Sequence, residues 1–332
     1  MESRQSFQGY GSKNGEGHFM VVGGMKKLYL LTGANGHLGH TIRNYLSGDV
    51  REWIHHKDDR WPNAYVGDVC DKKALEPFFD REGYDEVVLI HCAAKISIAT
   101  KPDPSVWETN VWGTQNVLEL AKKHHITKMI YIGSVHAMQE KAGIMTEPLI
   151  FDPHLVVGQY AKSKAEAIRH VLASDLRVVV LLPSGIIGPG DVLGQNHMVQ
   201  VIHQMMKRKW PITVSGGYDF VDVRDVALAV LQAEKKGRDH AVYIVNGHEI
   251  SMADLTRFIT HKEPKVISAK WLERIAPMIE HLYPNMSPYA LYTLQSPSQF
   301  SHHKATVDLG YQPRLWQETI QDMEMIKDGF DW

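Results

Sequence analysis

"LYLLTGANGHLGHTI", residues 28–42, is the stretch on which the fold turns. Residues 27–32, "KLYLLT", are apolar and bounded by glycine, which reads as a short strand. Residues 37–46, "HLGHTIRNYL", carry apolar positions at helical spacing. Between them stand Gly33, Gly36 and Gly39. Glycines permit a tight turn and close backbone approach to a pyrophosphate, and the helix that follows offers free N–H groups and a positive dipole end. Strand, glycine turn and amphipathic helix, in that order, point to a dinucleotide. Contacts are expected from Gly33, Asn35, Gly36, His37, Leu38 and Gly39.

Outward from this stretch the pattern repeats. Strands are expected at 50–55, 63–67, 86–91, 128–133 and 176–182, with helices near 71–80, 104–124 and 159–174. "VVVLL" is apolar without alternation, as a strand buried on both faces should be. The expected fold is α/β: a Rossmann-type, doubly wound parallel sheet with right-handed crossovers. The rhythm breaks after Pro183, and five prolines separate short helical pieces beyond residue 247. We therefore expect a dinucleotide-binding core over 25–186, completed by 218–246. Residues 187–217 and 247–332 should form a smaller C-terminal substrate lobe over the carboxyl ends of the strands, where open α/β sheets bind ligands. Residues 1–24, polar and glycine-rich, read as a flexible extension.

Bulk properties narrow the function. The chain has 332 residues, 44% hydrophobic and 22% charged, with net charge −2, so no global field favours nucleic acid or an anionic membrane. The longest apolar runs fall short of a bilayer span, and the N-terminus lacks a secretion signal. The two cysteines, Cys70 and Cys92, fit no zinc spacing, and their scarcity suggests a reducing compartment, hence the cytoplasm. There are nineteen histidines but no HExxH, so no metal site is expected.

A second stretch, "GQYAKSKAEAIRH" at 158–170, places Tyr160 and Lys164 four apart beside an apolar stripe of Ala161, Ala165, Ile168 and Leu172. YxxxK alone is common. Here it accompanies "TGANGHLG", "GDV", "HCAA", "TNVWGTQNVLELA", "YIGSVHA", "LLPSGIIGPGD", "FVDVRDVA" and "KATVDLGYQPR". Together these resemble the extended short-chain dehydrogenase/reductase family over nearly all of 26–325. The likeness is greatest to its dihydroflavonol reductase-like members in the NAD-dependent epimerase/dehydratase branch. One departure is Leu182, where the family often has arginine before the proline.

The resemblance implies a catalytic set of Ser134, Tyr160 and Lys164, with Asn110 in support. It implies cofactor contacts from Val69, Ala93, Ala94, Lys95, Tyr160, Lys164, Pro183, Ser184, Gly185 and Ile186. The chemistry agrees: hydride delivered to a carbonyl leaves an oxyanion, to which Tyr160 can donate a proton as general acid. A free phenol titrates near 10. An ammonium ~4 Å away is worth about 4 kcal/mol at an effective dielectric of 20, enough to lower the phenol by up to roughly three units before desolvation opposes it. We therefore expect Lys164 to depress the pKa of Tyr160.

The second strand ends in His55, His56 and Lys57 ahead of Asp58 and Asp59, which favours NADP(H) over NAD(H), although a one-residue shift would reverse the reading. Asp68 could bind the adenine amino group or cap the next helix. The substrate pocket should draw on 135–157, 187–217 and 264–300, with Met138, Met145, Met198, Met205, Met206, Met278, Met286, Trp210, Trp271, Tyr283 and Tyr289. His136 and Met138 are expected to touch substrate.

The expected activity is NAD(P)(H)-dependent reduction of an aldehyde or ketone of a small, mainly apolar molecule. The alternatives are a sugar-nucleotide epimerase or dehydratase with tightly held NAD, and a non-catalytic dinucleotide sensor. The resemblance also makes a homodimer plausible.

Overall fold

A computed structural model describes residues 25–99, 101–279, 287–296 and 298–326, without the side chains of 277–279 and 326. Its centre is a seven-stranded parallel sheet. Five strands come from the first half of the chain: β1 Lys27–Thr32, β2 Asp49–Ile54, β3 Tyr65–Val66, β4 Glu86–His91 and β5 Lys128–Ile132. Val178–Pro183 and Ala241–Val245 complete it. The order is Ala241–Val245, Val178–Pro183, β5, β4, β1, β2, β3. The order reverses beside β1, between β2 and β4, so the crevice of an open α/β sheet opens there.

The unbroken apolar strands are explained by two cores. Along Val178–Pro183, Val178, Val180 and Leu182 face one core, and Val179 and Leu181 face the other. Period-two geometry sends alternate residues to opposite faces. On the first face lie Val117, Leu120 and Ala121, together with Ala161, Ala165 and Ile168 from the helix Gln159–Leu172. On the second lie Leu38 and Ile42 of the helix His37–Tyr45, and Val226, Ala229 and Val230 of the helix Val223–Lys236.

The remainder differs from expectation in one respect. Residues 218–222 do not join the main sheet. Gly217–Asp222 is the middle strand of a separate three-stranded sheet, pairing parallel with Gly185–Ile187 and antiparallel with His248–Ser251. The main sheet is completed by 223–245 alone. The small sheet buries Ile187, Phe220 and Ile250 in its own core with Val199, Ile202, Leu255 and Ile320. Two further strand pairs, Ile212–Val214 with Lys265–Ile267 and Gly143–Met145 with Ser298–Phe300, tie late segments to early ones. No described helix is long and apolar enough to cross a membrane. Residues 1–24, Tyr283 and Met286, singled out in the sequence, lie outside the described residues.

Candidate active site

The glycine turn is built for close backbone contact. Gly33 takes φ 68°. The N–H groups of Gly33 and Ala34 both donate to the Trp53 carbonyl, at 2.9 and 3.2 Å, which ties the turn to the end of β2. A Cβ on Gly39 would lie 2.1 Å from the Gly33 carbonyl oxygen, and one on Gly33 2.8 Å from Ala93 N. The helix His37–Tyr45 has no side-chain cap and no acidic residue in its first turn. Its leading N–H groups therefore suit an anion. A dinucleotide pyrophosphate fits this cradle.

His37 departs from expectation. Its Nε2 lies 2.9 Å from the Pro189 carbonyl and its Nδ1 3.1 Å from Asn196 Nδ2. Nε2 therefore carries the proton and Nδ1 accepts. Both nitrogens are engaged in holding the 189–196 loop beside the glycine turn, so the imidazole is not free for a cofactor. Lys95 is similarly engaged: its ammonium pairs with Asp103 at 2.9 Å.

At the end of β2, His55, His56 and Lys57 are exposed. The strand stops at Ile54, one residue before the sequence reading. Asp58 is gripped by Arg60 through Nε and Nη2, at 3.0 and 2.7 Å, and Arg60 Nη1 donates across the cleft to the Val192 carbonyl at 2.9 Å. Asp68 accepts from Cys70 N at 2.8 Å and is exposed, whereas Asp71 caps the helix Lys72–Leu75, so the capping reading of Asp68 is corrected. Val69 is buried, and its carbonyl is held by Asn116 Nδ2 at 3.1 Å.

Ser134, Tyr160, Lys164 and Asn110 come together at the carboxyl ends of β4 and β5. Ser134 caps a short 3₁₀ turn, Val135–Ala137, accepting from the His136 N–H at 3.2 Å. Lys164 Nζ donates to the Ile132 carbonyl at 2.8 Å and sits 5.0 Å from the centroid of the Tyr131 ring. Burial lowers its pKa to about 8. Asn110 lies in a π segment, Glu108–Gly113, within the helical run 104–123. Its Oδ1 accepts from Lys95 N at 2.7 Å, and its Nδ2 donates to Lys95 O at 3.0 Å and Ser163 Oγ at 2.9 Å. Ser163 Oγ in turn donates to the Tyr160 carbonyl at 2.8 Å. Asn110 thus fixes the 92–99 loop to the first turn of the Tyr160 helix.

The expected depression of the Tyr160 pKa is not observed. Burial pushes the phenol up to about 12, opposed by a hydrogen bond with Ser134. Desolvation penalises the phenolate, and the Lys164 ammonium is directed at the Ile132 carbonyl.

Across the cleft, Pro183 ends its main-sheet strand, and Gly185 and Ile186 open the small sheet. Ser184 lies near the buried Asp219, whose carboxyl is raised by burial while bonds from Asn246 Nδ2 at 2.7 Å and Gly247 N at 3.0 Å pull it back. Ala93 and Ala94 line the loop after β4, with Ala93 N donating to Thr32 Oγ1 at 3.2 Å. His136 is half-buried among tyrosines. Its Nε2 is 2.9 Å from the Tyr218 hydroxyl, and its ring lies 6.2 Å from the Tyr160 ring.

Met138 is corrected: it is 2% exposed in the main core, and so are Met145 and Met206 buried in theirs. Its place directly after the 3₁₀ turn aims it inward. Trp210 and Trp271 are exposed, at 62% and 55%. Tyr218 was missed by sequence reasoning. No local signal marked it: its ring packs against the distant Gly185, where a Cβ would meet it at 3.0 Å. Among the described residues no three His, Cys, Asp or Glu side chains converge as metal ligands.

Comparison with known proteins agrees with this geometry. The family model for the NAD dependent epimerase/dehydratase family matches residues 29–246. "Sterol demethylase protein B" of Methylococcus capsulatus is 25% identical over 324 residues, 88% of this chain and 96% of that protein. A putative dihydroflavonol 4-reductase of Synechocystis is 27% identical over 270 residues, 75% of this chain and 77% of that protein. The crystal structure of gox2253 superposes with a TM-score of 0.75 at 27% identity, covering 92% of this chain and 98% of that one. UDP-glucose 4-epimerases also stand among the relatives, and solved structures of this fold carry NADPH in one case and NAD in another. The chain belongs to the NAD-dependent epimerase/dehydratase family of extended short-chain dehydrogenase/reductases.

Proposed function

We propose that this protein is an NAD(P)(H)-dependent reductase acting on a carbonyl of a small, mainly apolar molecule, with NADPH preferred. What carries the reading is a single phenol, Tyr160, buried with Ser134 close enough to favour its phenolate, at the strand ends that also carry the glycine cradle. A bound nicotinamide supplies the hydride. The chain's own residues manage the oxygen. Ser134 donates a hydrogen bond to the carbonyl oxygen and stabilises charge as it develops. Tyr160 gives up its proton to that oxygen. A phenol held near 12 stays protonated at neutral pH, which suits the acid role in reduction. Asn110, through Ser163, holds the first turn of the helix, Lys164 holds the helix to the end of β5, and Lys164 would bind the ribose of a bound cofactor.

The preference for NADPH is supported by Asp58 being tied up by Arg60 while His55, His56 and Lys57 stand exposed after β2, with the exposed carboxylate of Asp59 opposing it. Segments 187–217 and 247–332 supply the substrate side. The same reading includes a homodimer through the outer faces of 104–123 and Gln159–Leu172, where Trp107 and Trp112 are exposed. Sedimentation as a monomer at micromolar concentration would remove that part.

The decisive test is oxidation of NADPH and of NADH, followed by nicotinamide absorbance across aldehydes and ketones, in wild type and Tyr160→Phe. Consumption that falls about 10³-fold in the variant, with cofactor binding retained, is the expected result. Turnover of a nucleotide sugar by protein that carries tightly bound NAD would replace this reading with an epimerase or dehydratase. Cofactor binding identical in both forms, with no turnover in either, would replace it with a sensor.

A further inference from the structure

We propose that Tyr218, His136 and Tyr289 form a recognition wall that selects substrates with a second, uncharged oxygen close to the reacting carbonyl: an α-diketone, a hydroxy ketone or a β-diketone. The inference rests on the reductase reading and deepens it.

The three side chains come from remote parts of the chain. His136 follows β5, Tyr218 lies on the middle strand of the small sheet, and Tyr289 opens the helix Pro288–Thr293. The His136 and Tyr218 rings stack with centroids 5.5 Å apart and planes 10° apart. His136 Nε2 is 2.9 Å from the Tyr218 hydroxyl and Nδ1 3.4 Å from the Tyr289 hydroxyl. The same imidazole sits edge-on to Tyr160, 6.2 Å between centroids. A group bonded to this wall is therefore only one ring away from the proton-donating phenol.

Two glycines make room for the wall. A Cβ on Gly158 would meet the Tyr289 ring at 2.5 Å, and one on Gly185 the Tyr218 ring at 3.0 Å. Gly158 immediately precedes the Tyr160 helix, and Gly185 opens the small-sheet strand Gly185–Ile187, in the segment expected to contact the cofactor. Each tyrosine is thus seated on backbone next to the chemistry.

Counting donors defines the ligand. A neutral imidazole has one N–H and one acceptor nitrogen. If Nε2 carries the proton, it donates to the Tyr218 oxygen, and the Tyr218 O–H is released. If Nδ1 carries it, the Tyr289 O–H is released. In either tautomer the other tyrosine donates to the imidazole. The wall therefore offers one O–H to an acceptor in the cleft, and a purely apolar substrate would leave that donor unpaired.

The acceptor should be uncharged. Burial keeps His136 neutral, its pKa lowered to about 4. Burial raises the pKa of both Tyr218 and Tyr289, and nearby negative charge adds to it, Asp219 at Tyr218 and the Glu140 carboxylate, which accepts from Tyr292 at 2.9 Å, at both. A second carboxylate at this wall would meet that charge.

The test uses three ligands on one skeleton. Propiophenone has one carbonyl, acetylbenzoyl adds an adjacent uncharged oxygen, and phenylglyoxylate adds a carboxylate. Each is titrated into the full chain loaded with NADP⁺, and separately with NAD⁺, so that binding is read where no hydride is available. Acetylbenzoyl is expected to bind about tenfold tighter than propiophenone, with phenylglyoxylate weakest. In the double variant Tyr218→Phe/Tyr289→Phe the acetylbenzoyl-to-propiophenone ratio should shrink to within about twofold. Equal affinity of the two neutral ligands in wild type overturns the proposal, and so does a double variant that keeps the full ratio. The wild-type comparison decides even if the variant fails to fold. Selective binding without NADPH consumption upholds the wall and removes the reductase reading; consumption without selectivity does the reverse.

Discussion

The two walls of the cleft are held by different kinds of bond. On the wall that carries Tyr160, side chains are fastened to backbone: Lys164 to the Ile132 carbonyl, Asn110 to both amide groups of Lys95, and Ser134 to the His136 N–H. These backbone groups belong to strands β4 and β5 or their immediate exits. On the opposite wall, side chain holds side chain: His136 with Tyr218 and Tyr289, and Tyr292 with Glu140. The sheet behind Tyr218 has only three short strands. Geometry fixed by a buried parallel sheet is hard to change one residue at a time. A wall of mutually bonded side chains on small elements changes with each substitution. The proposed chemistry lies on the first and the proposed discrimination on the second.

The largest effect that would sharpen this contrast is at the glycine turn. Gly39→Ala drives a Cβ against the Gly33 carbonyl at 2.1 Å, and backbone cannot step aside. We expect a loss of about 3 kcal/mol and of cofactor binding. Gly36→Ala, 3.3 Å from the same oxygen and at φ −73°, should cost less than about 1 kcal/mol. Urea unfolding of both variants checks the pair, and equal losses would contradict the geometry.

Next comes the difference between the walls. Asn110→Ala leaves the part-buried amide groups of Lys95 without their partner and takes one donor from the Ser163 hydroxyl, which keeps the Tyr160 carbonyl, for about 2 kcal/mol. Tyr218→Phe removes one hydroxyl at a half-buried site and should cost less than about 1 kcal/mol. If denaturation shows Tyr218→Phe to be the more damaging, the contrast between the walls is wrong.

The pH profile separates them further. Lys164 is charged below about 8 in the folded protein, against an ordinary value of 10.5. Tyr160, near 12, stays protonated throughout the working range. Reduction should therefore lose kcat/KM as pH rises through about 8. His136, lowered to about 4, should add no inflection between 6 and 10. The same Lys164 shift affects stability with the opposite sign. Between about 8 and 10.5 the unfolded chain holds a proton that the folded one has released, so this group favours the fold more as pH rises. A kcat/KM profile flat to pH 10 would break the assignment of Lys164.

The smallest effect expected is at Arg60. Arg60→Ala frees Asp58 and removes the bond to the Val192 carbonyl. The ratio of NADPH to NADH efficiency should fall about fivefold, the worth of one or two exposed charge-assisted bonds. A ratio unchanged within error would show that Asp58 has no bearing on the ribose.

Much of the first wall was legible in the sequence. β1 and β4 coincide with the runs 27–32 and 86–91 because strands buried on both faces are filled with apolar side chains between their ends, and the buried polar ends Thr32 and His91 bond to each other. GxxGxxG between strand and helix marked the cradle, since only a residue without Cβ satisfies 2.1 Å. YxxxK on a helix marked the reacting edge, because i,i+4 spacing is a local property. Residues 218–222 were misassigned because "FVD" reads the same in a large sheet or a small one. Met138 was misjudged because a turn decides on which side a methionine falls.

The sequence by itself determined the parallel sheet, the glycine turn and the identity of the residues, Ser134, Tyr160 and Lys164, that we propose as the reacting groups. Each of these is written in neighbouring residues, as periodicity, glycine spacing or helical spacing. Tertiary structure alone decided the sign of the Tyr160 shift, because desolvation depends on every group packed around the phenol and Lys164 found a carbonyl instead. It alone decided that Tyr218 and Tyr289 meet His136, from 82 and 153 residues away. Contacts at such separation follow from how lobes close over a sheet, and no local pattern encodes them.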